Sequence, residues 1–360
     1  MKANLRRFYK NKSALAGVII ILIACFVALS GYLITTDKSE DANTQLTGIA
    51  LKKPGFECYI LTVKNDRKQE SQSFLSKMFF GDRSNKTEIP ALDYRVSNDT
   101  IYYTSFPLRK KEDGSYFQKS LHVEGKNPAD HISKRTFWFG TDKFGRCIYS
   151  RMVIGIRISL MVGLLAVAIS IFVGTALGAI AGFFGGRTDR IIMLLTQTIW
   201  SIPTILLVFA VVLSLGRGIG IIFLAVGLTM WVDVARLVRG QILSVKKLNF
   251  IDACRSMGFS DSRIIIKHIL PNIMGPITVL TASNFAQAIL LEAGLSYLGF
   301  GIQPPKPSLG NILNENYIFA LSGKPFLALA PSLAIMLLVL AFNLLGNGFR
   351  DALDVKEKVN

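Results

Sequence analysis

Charge is what this chain has least of. Asp, Glu, Lys and Arg make up 18% of its 360 residues, where a soluble domain usually carries about 25%. That leaves too little polar surface to cover one water-soluble globule of this length. Disorder is excluded too, because it needs low hydrophobicity and 51% of these residues are hydrophobic. Histidine is rarer still. His122, His131 and His268 are scattered, which argues against a histidine-based metal site, and no Cys/His spacing resembles a zinc site. No GxxxxGK run followed by Ser or Thr occurs, so the chain does not bind and split ATP by that route. GxSxG, HExxH and a plausible triad are missing as well. An enzyme reading has little support, and neither a metal nor another cofactor is expected on the chain.

The charges that are present are unevenly spread. Residues 37–153 hold 20 basic and 15 acidic residues, 35 of 117, while the other 243 hold only 30. The first part has the composition of a soluble domain and the second that of a membrane protein. Long charge-free runs follow from this: Ser13–Thr36, Ile158–Gly186, Ile191–Gly216, Gly218–Val232, Ile269–Leu291 and Pro325–Phe349. A spanning helix needs about 20 apolar residues, because each rises about 1.5 Å through about 30 Å of hydrocarbon. Five runs qualify directly. The run at 218–232 reaches spanning length if Asp233 and Arg236, three apart, pair on one helix face. Six spans are therefore expected. The first has a basic n-region, but its apolar stretch exceeds a signal-peptide core and no clear cleavage site follows, so the expectation is an uncleaved anchor.

Basic flanks orient the spans. With six spans, one side gathers 17 Lys and Arg: five in the N-terminal tail, Arg187 and Arg190, seven between 236 and 267, and three in the C-terminal tail. The short loops opposite hold only Arg217, Lys306 and Lys324. Both termini are thus expected in the cytoplasm and 37–153 outside, since long translocated segments are largely exempt from the rule. The net charge of +17 reads mostly as a topology signal, and nucleic acid is not an expected partner.

Gly174, Gly178, Gly182 and Gly186 recur every fourth position in the second run. Such a flat face lets membrane helices approach closely, and it is read as a helix-packing or subunit interface. Thr278, Thr281, Ser283, Asn284, Gln287 and Glu292 make the fifth run the most polar, and Pro276 interrupts it. Polar groups in hydrocarbon should face protein or a water-filled path. Asn284, Gln287 and Glu292 are the candidates for lining such a path, with interhelical hydrogen bonding the competing reading; Glu292 can also sit at the membrane interface. Pro203 and Pro331 fall inside the third and sixth runs and are candidate kinks. In the outer segment, Phe56–Val63 and Thr100–Leu108 alternate like strands. Cys58 and Cys147 both lie there, where a disulfide is permitted, and a bond and two free thiols both stay open.

The loop between the fourth and fifth runs reads Asn249-Phe-Ile-Asp-Ala-Cys-Arg-Ser-Met-Gly258 and continues to Ile269-Leu270-Pro271. Phe250, Ala253, Cys254 and Met257 follow i, i+3, i+4, i+7, one apolar stripe on a short helix. Gly258 is a natural stop, and Ser260 or Asp261 can cap a second helix that runs to Pro271. A short exposed amphipathic helix suits a partner groove; the bland alternative is packing on its own membrane domain.

This loop resembles the EAA loop of ABC-importer permeases, with Asp252-Ala253-Cys254 standing for Glu-Ala-Ala and Gly258 for its glycine. Phe139-Gly-Thr-Asp-Lys-Phe-Gly-Arg146, Ser150-Arg151, Gly155-Ile-Arg-Ile-Ser159, Ala235-Arg-Leu-Val-Arg-Gly-Gln241, Leu295-Ser-Tyr-Leu-Gly299 and Ala341-Phe-Asn-Leu-Leu-Gly346 resemble the dipeptide/oligopeptide/nickel permease subfamily, C-type subunit. His268 departs from a usual aliphatic position, Cys147 and Gln197 from acidic ones, and 37–134 has no counterpart in compact members.

The resemblance implies an all-α polytopic membrane protein with six transmembrane helices of the type I ABC-importer permease fold, plus a small β-rich or α+β extracytoplasmic domain between helices 1 and 2. Its implied parts are a cytoplasmic tail (1–12), helix 1 (13–36), the insertion (37–136), the permease domain (137–349, coupling loop 246–272) and a cytoplasmic tail (350–360). It implies half of the path for peptides or a related small solute such as nickel, in the bacterial inner membrane. The implied partners are a sister B-type permease, two ATPase subunits that bind the ATP and Mg, an extracytoplasmic substrate-binding protein and the lipid bilayer. The implied ATPase-coupling residues are Phe250, Asp252, Ala253, Cys254, Arg255, Met257, Gly258, Leu270 and Pro271. Rival readings are an ion-driven transporter, which would predict inverted repeats and intramembrane acidic residues, and a sensory protein worked by its outer domain. The insertion itself reads as a decoration or as a cap on the outer mouth.

Overall fold

The charge-free runs become long helices in a computed structural model, which describes residues 7–64, 72–83, 86–111, 115–123, 128–216 and 218–353. Lys2, Arg6, Arg217 and the tail beyond Leu353, all used in the orientation argument, lie outside the described residues. Five helices are long and apolar enough to cross a membrane. They are α1 (Lys12–Ser30), α3 (Ile148–Phe184), α6 (Ile219–Val245), α8 (Asp261–Tyr297) and α10 (Phe326–Leu353). The sixth expected span is not one straight helix. It is α4 (Gly186–Trp200) followed by α5 (Thr204–Leu215), bent by 92°. Pro203 sits at the break, where it disfavours helical backbone in the residue before it. Counting the bent pair as one span restores six.

Two further expectations are corrected. Pro271 does not mark a boundary: α8 runs through it, and through Pro276. Immediately before Pro271 the helix widens into a π turn, Ile264–Ile269. The wider turn relieves the collision between a proline ring and the carbonyl four residues back. In α6, Arg236 does not fold back on Asp233; its guanidinium lies 4.0 Å over the Trp200 ring.

The chain divides into two units, and α1, α3 and α10 each contribute to both. One unit comprises residues 1–25, 159–303 and 334–360. Its contacts repeatedly use small residues to bring helices close. A Cβ on Gly163 would lie 2.6 Å from the Phe285 ring of α8, and one on Gly17 would lie 2.7 Å from the Ala341 carbonyl of α10. Phe285 and Phe342 stack with ring centroids 4.0 Å apart.

The other unit, residues 26–158 and 304–333, contains a five-stranded antiparallel sheet in the order β4-β3-β2-β1-β5. The strands are β1 (Phe56–Lys64), β2 (Lys86–Ser97), β3 (Thr100–Ser105), β4 (Lys119–His122) and β5 (Ile132–Phe137). Successive side chains alternate between faces, so β1 supplies two cores. Cys58 and Ile60 pack with Leu46, Ile49, Phe137 and Cys147, while Tyr59 and Leu61 pack with Ala91, Ile101, Tyr103 and Val123. β3 ends before the expected Leu108, because Pro107 has no N–H to give a ladder. A short helix, α2 (Phe74–Phe80), and helix α9 (Leu309–Leu321) complete the unit. Cys58 and Cys147 share one core but are free thiols. Burial pushes the Cys58 thiol up to about 11.

Candidate functional site

The loop between α6 and α8 holds an eight-residue helix, α7 (Asn249–Ser256). Alone in water so short a helix is marginal, so packing must hold it. Ile251 and Cys254 do this. They are buried among Ala179 and Phe183 of α3, Val234, Val238 and Ile242 of α6, and Ile264, Ile269, Ile273 and Ile277 of α8. The expected stripe is therefore split. Cys254 turns inward with Ile251, while Phe250, Ala253 and Met257 stay exposed, Met257 by 63%. Little more than two turns is too short for periodicity to fix which of two adjacent faces is the inner one, and Ile251 is the residue it misses.

Gly258 ends the helix at φ 74°. Its N–H donates to the Arg255 carbonyl at 2.9 Å and that of Phe259 to the Cys254 carbonyl at 3.1 Å, the bond pair of a Schellman stop. Ser260 occupies the cap position of α8, but its side chain makes no cap bond. Asp252 and Arg255 pair at 3.6 Å, both well exposed, a contact that contributes little. Arg263 lies 4.0 Å over the Phe259 ring, and His268 stacks on the same ring at 5.6 Å. Leu270 is half-buried and Pro271 exposed.

Gly174, Gly178 and Gly182 line the approach of α3 to α6. A Cβ at each would stand 2.5 Å from Val234 Cβ, 2.5 Å from the Ala235 carbonyl and 3.0 Å from the Arg239 carbonyl. Gly186 does not extend this stripe: α3 has ended, its φ is 57°, and nothing lies within 4 Å of its Cβ position. Nearby, Arg239 Nε and Nη2 donate to the two carboxylate oxygens of Asp189 at 2.5 and 2.6 Å, tying α4 to α6.

The three polar candidates on α8 separate. Only Gln287 is exposed, where it lines a small cleft with Trp200, Thr204, Thr229 and Asp233. Asn284 is buried with its Nδ2 unpaired. Glu292 is wholly buried. Ser159 of α3 donates to its Oε2 and Ser296 to its Oε1, each at 2.8 Å, and Ser296 in turn accepts from the Ile302 N–H at 3.1 Å. Thr278 and Thr281 bond carbonyls of their own helix.

The Gly-Thr-Asp and Ser-Arg motif residues converge in the strand-containing unit. Asp142, Arg146 and Arg151 are buried. Arg146 Nε donates to Asp142 Oδ2 at 2.6 Å and Arg151 Nη1 to the same oxygen at 3.0 Å. Both arginines also donate to Glu315 Oε2 on α9, at 2.5 and 2.6 Å. Burial opposes ionisation of Glu315, but the two guanidiniums outweigh it and hold its carboxyl below the usual range. Glu315 carried no signal in the sequence, because 164 residues separate it from Arg151.

Comparison with known proteins adds an independent finding. Residues 174–359 match the family described as "binding-protein-dependent transport system inner membrane component". Residues 2–54 match the "N-terminal TM domain of oligopeptide transport permease C". The glutathione transport system permease protein GsiD of Pectobacterium atrosepticum is 45% identical over 68% of this chain and 78% of its own length. The Bacillus subtilis dipeptide permease DppC is 40% identical over 67% and 74%, and the oligopeptide permease OppC of the same organism 39% over 63% and 74%.

Proposed function

The chain belongs to the binding-protein-dependent transport system inner membrane components, and from that premise we propose that it forms half of the path of an ATP-driven importer of small peptides. As in its relatives, it is a multi-pass inner-membrane transport subunit and not an enzyme. The peptide class rests on relatives named for glutathione, oligopeptides and dipeptides. A sister permease supplies the other wall, a binding protein delivers cargo, and ATP is split on two ATPase subunits. Both termini face the cytoplasm and the strand-rich insertion lies outside.

The observation that carries the coupling role is the two-sided seating of α7. Its outward face (Phe250, Ala253, Met257) is left open to a partner, while Ile251 and Cys254 are set among α3, α6 and α8. A push from the ATPase on the outer face passes through those two side chains into three long helices at once. Close-packed interiors transmit displacement rather than absorb it, so the helices tilt together and access changes sides.

Asp252→Lys tests this. The Asp252 side chain is 71% exposed, so the reversal of charge leaves the packing of α7 intact. The expected result is loss of ATPase association and of peptide uptake, with normal membrane insertion. Uptake equal to the parent's would refute the docking role.

A further inference from the structure

Helix α2 buries none of its seven residues, Phe-Leu-Ser-Lys-Met-Phe-Phe. Phe74, Leu75 and Phe80 are each exposed by 60% or more. A helix this short gains little from its own hydrogen bonds, and so dense a group of exposed large apolar side chains marks an interaction surface.

Its position names the partner. The Arg157 guanidinium grips the last turns of two helices. It donates to the Ala28 and Leu29 carbonyls of α1 at 2.6 and 3.4 Å, and to the Phe79 and Met78 carbonyls of α2 at 2.7 and 3.4 Å. These are the carbonyls a helix end leaves without partners. The chain beyond α2 is fixed as well: the Asp82 N–H donates to the Lys38 carbonyl at 2.7 Å, and a Cβ on Gly81 would meet Ser39 and Tyr32 at about 3 Å. The end of α2 is thus held level with the end of α1. The last turns of α1 present Phe26 and Leu29, and the 3-10 turn that continues it presents Leu33, all more than half exposed, on a stretch apolar enough to span a bilayer. The apolar surface of α2 continues that surface at its rim.

We propose that α2 lies in the headgroup–acyl boundary of the bilayer, beside the C-terminal end of α1, and holds the strand-containing unit against the lipid. This rests on α1 being a membrane span. Beside α2, a cleft of about 270 Å³ is lined by Tyr32, Leu33, Phe74 and Met78, with Lys38, Lys77 and Asp82. Two ammonium groups against one carboxylate leave the lining net positive, which with its apolar part suits an acyl chain below a phosphate, and aromatic and basic residues are the usual interfacial pair.

The test is tryptophan quenching on the full chain in phosphatidylcholine nanodiscs, read as the emission gained over the parent, whose own tryptophans are subtracted. Phe80→Trp reports on α2. Leu22→Trp reports on α1 eight residues deeper, and Phe117→Trp on an exposed site elsewhere in the strand-containing unit. Lipid brominated high on its acyl chains should remove most of the Phe80→Trp emission, while aqueous iodide leaves it. Phe117→Trp should behave in reverse, and Leu22→Trp should be quenched by deep bromines. Phe80→Trp quenched by iodide, with Leu22→Trp quenched by lipid, overturns this inference alone. Protection from both quenchers means that a protein covers α2, and also overturns it. Failure of lipid to quench Leu22→Trp overturns the membrane reading of α1 and this inference with it.

Discussion

Ile251→Ala should release α7 from the membrane helices without unfolding them. Ile251 is fully buried, and with Cys254 it is one of only two α7 side chains in the shared core. Truncating a buried isoleucine costs about 2–5 kcal/mol, transfer and cavity together. The helix has no side-chain cap at its start, so nothing local replaces the lost contact. Amide exchange of α7 should therefore quicken by about 30- to 4,000-fold, at about 1.4 kcal/mol per factor of ten, up to the protection α7 has in the parent. The assay is hydrogen–deuterium exchange with mass spectrometry on the chain in nanodiscs. Phe250→Ala is the counterpart: Phe250 points outward, so α7 should stay protected while ATPase association falls. Equal protection of α7 in Ile251→Ala and the parent would refute the reasoning. So would an increase spread evenly over α6 and α8, since α7 would then not open as a separate unit.

Gly178→Ala should destabilise the chain by about 1–3 kcal/mol through overpacking, because the new Cβ would stand 2.5 Å from the Ala235 carbonyl; Gly240→Ala, with nothing within 4 Å, should leave the melting temperature level or higher. Glu315→Gln should cost about 3–5 kcal/mol, as loss of one member of a buried charge cluster does. The carboxyl of Glu315 is held below its unfolded value, so its contribution is complete above the unfolded range, about 4.3, and is lost as pH falls through the folded value. Melting curves from neutral to acid pH should then show a steeper acid decline in the parent than in the variant.

Composition made the helices legible because lipid demands long uncharged runs wherever they occur in the chain. Pro203 marked a candidate kink, but the size of the bend, 92°, was not legible, since a run without charges looks the same straight or folded. Composition left Glu292 between lining a path, bonding another helix and sitting at an interface, because a polar group in an apolar run needs one of these; its partner Ser159 lies 133 residues away. The strand segments were legible from alternation at Phe56–Val63. The charge cluster was visible only in part, as the motif residues Asp142, Arg146 and Arg151, with Glu315 supplied by a distant helix. In each case the missing information was tertiary.

The π turn before Pro271 has a consequence for azimuth. Each α-helical residue advances about 100° around the axis, and the turn at Ile264–Ile269 accommodates one more residue than an α turn would. Everything beyond it, from Ile273 to Tyr297, is clocked by that one step relative to Asp261. A helical wheel drawn straight through would aim Asn284, Gln287 and Glu292 at the wrong neighbours. The turn thus acts as a phase setting between the start of α8, next to α7, and the polar stretch that follows it.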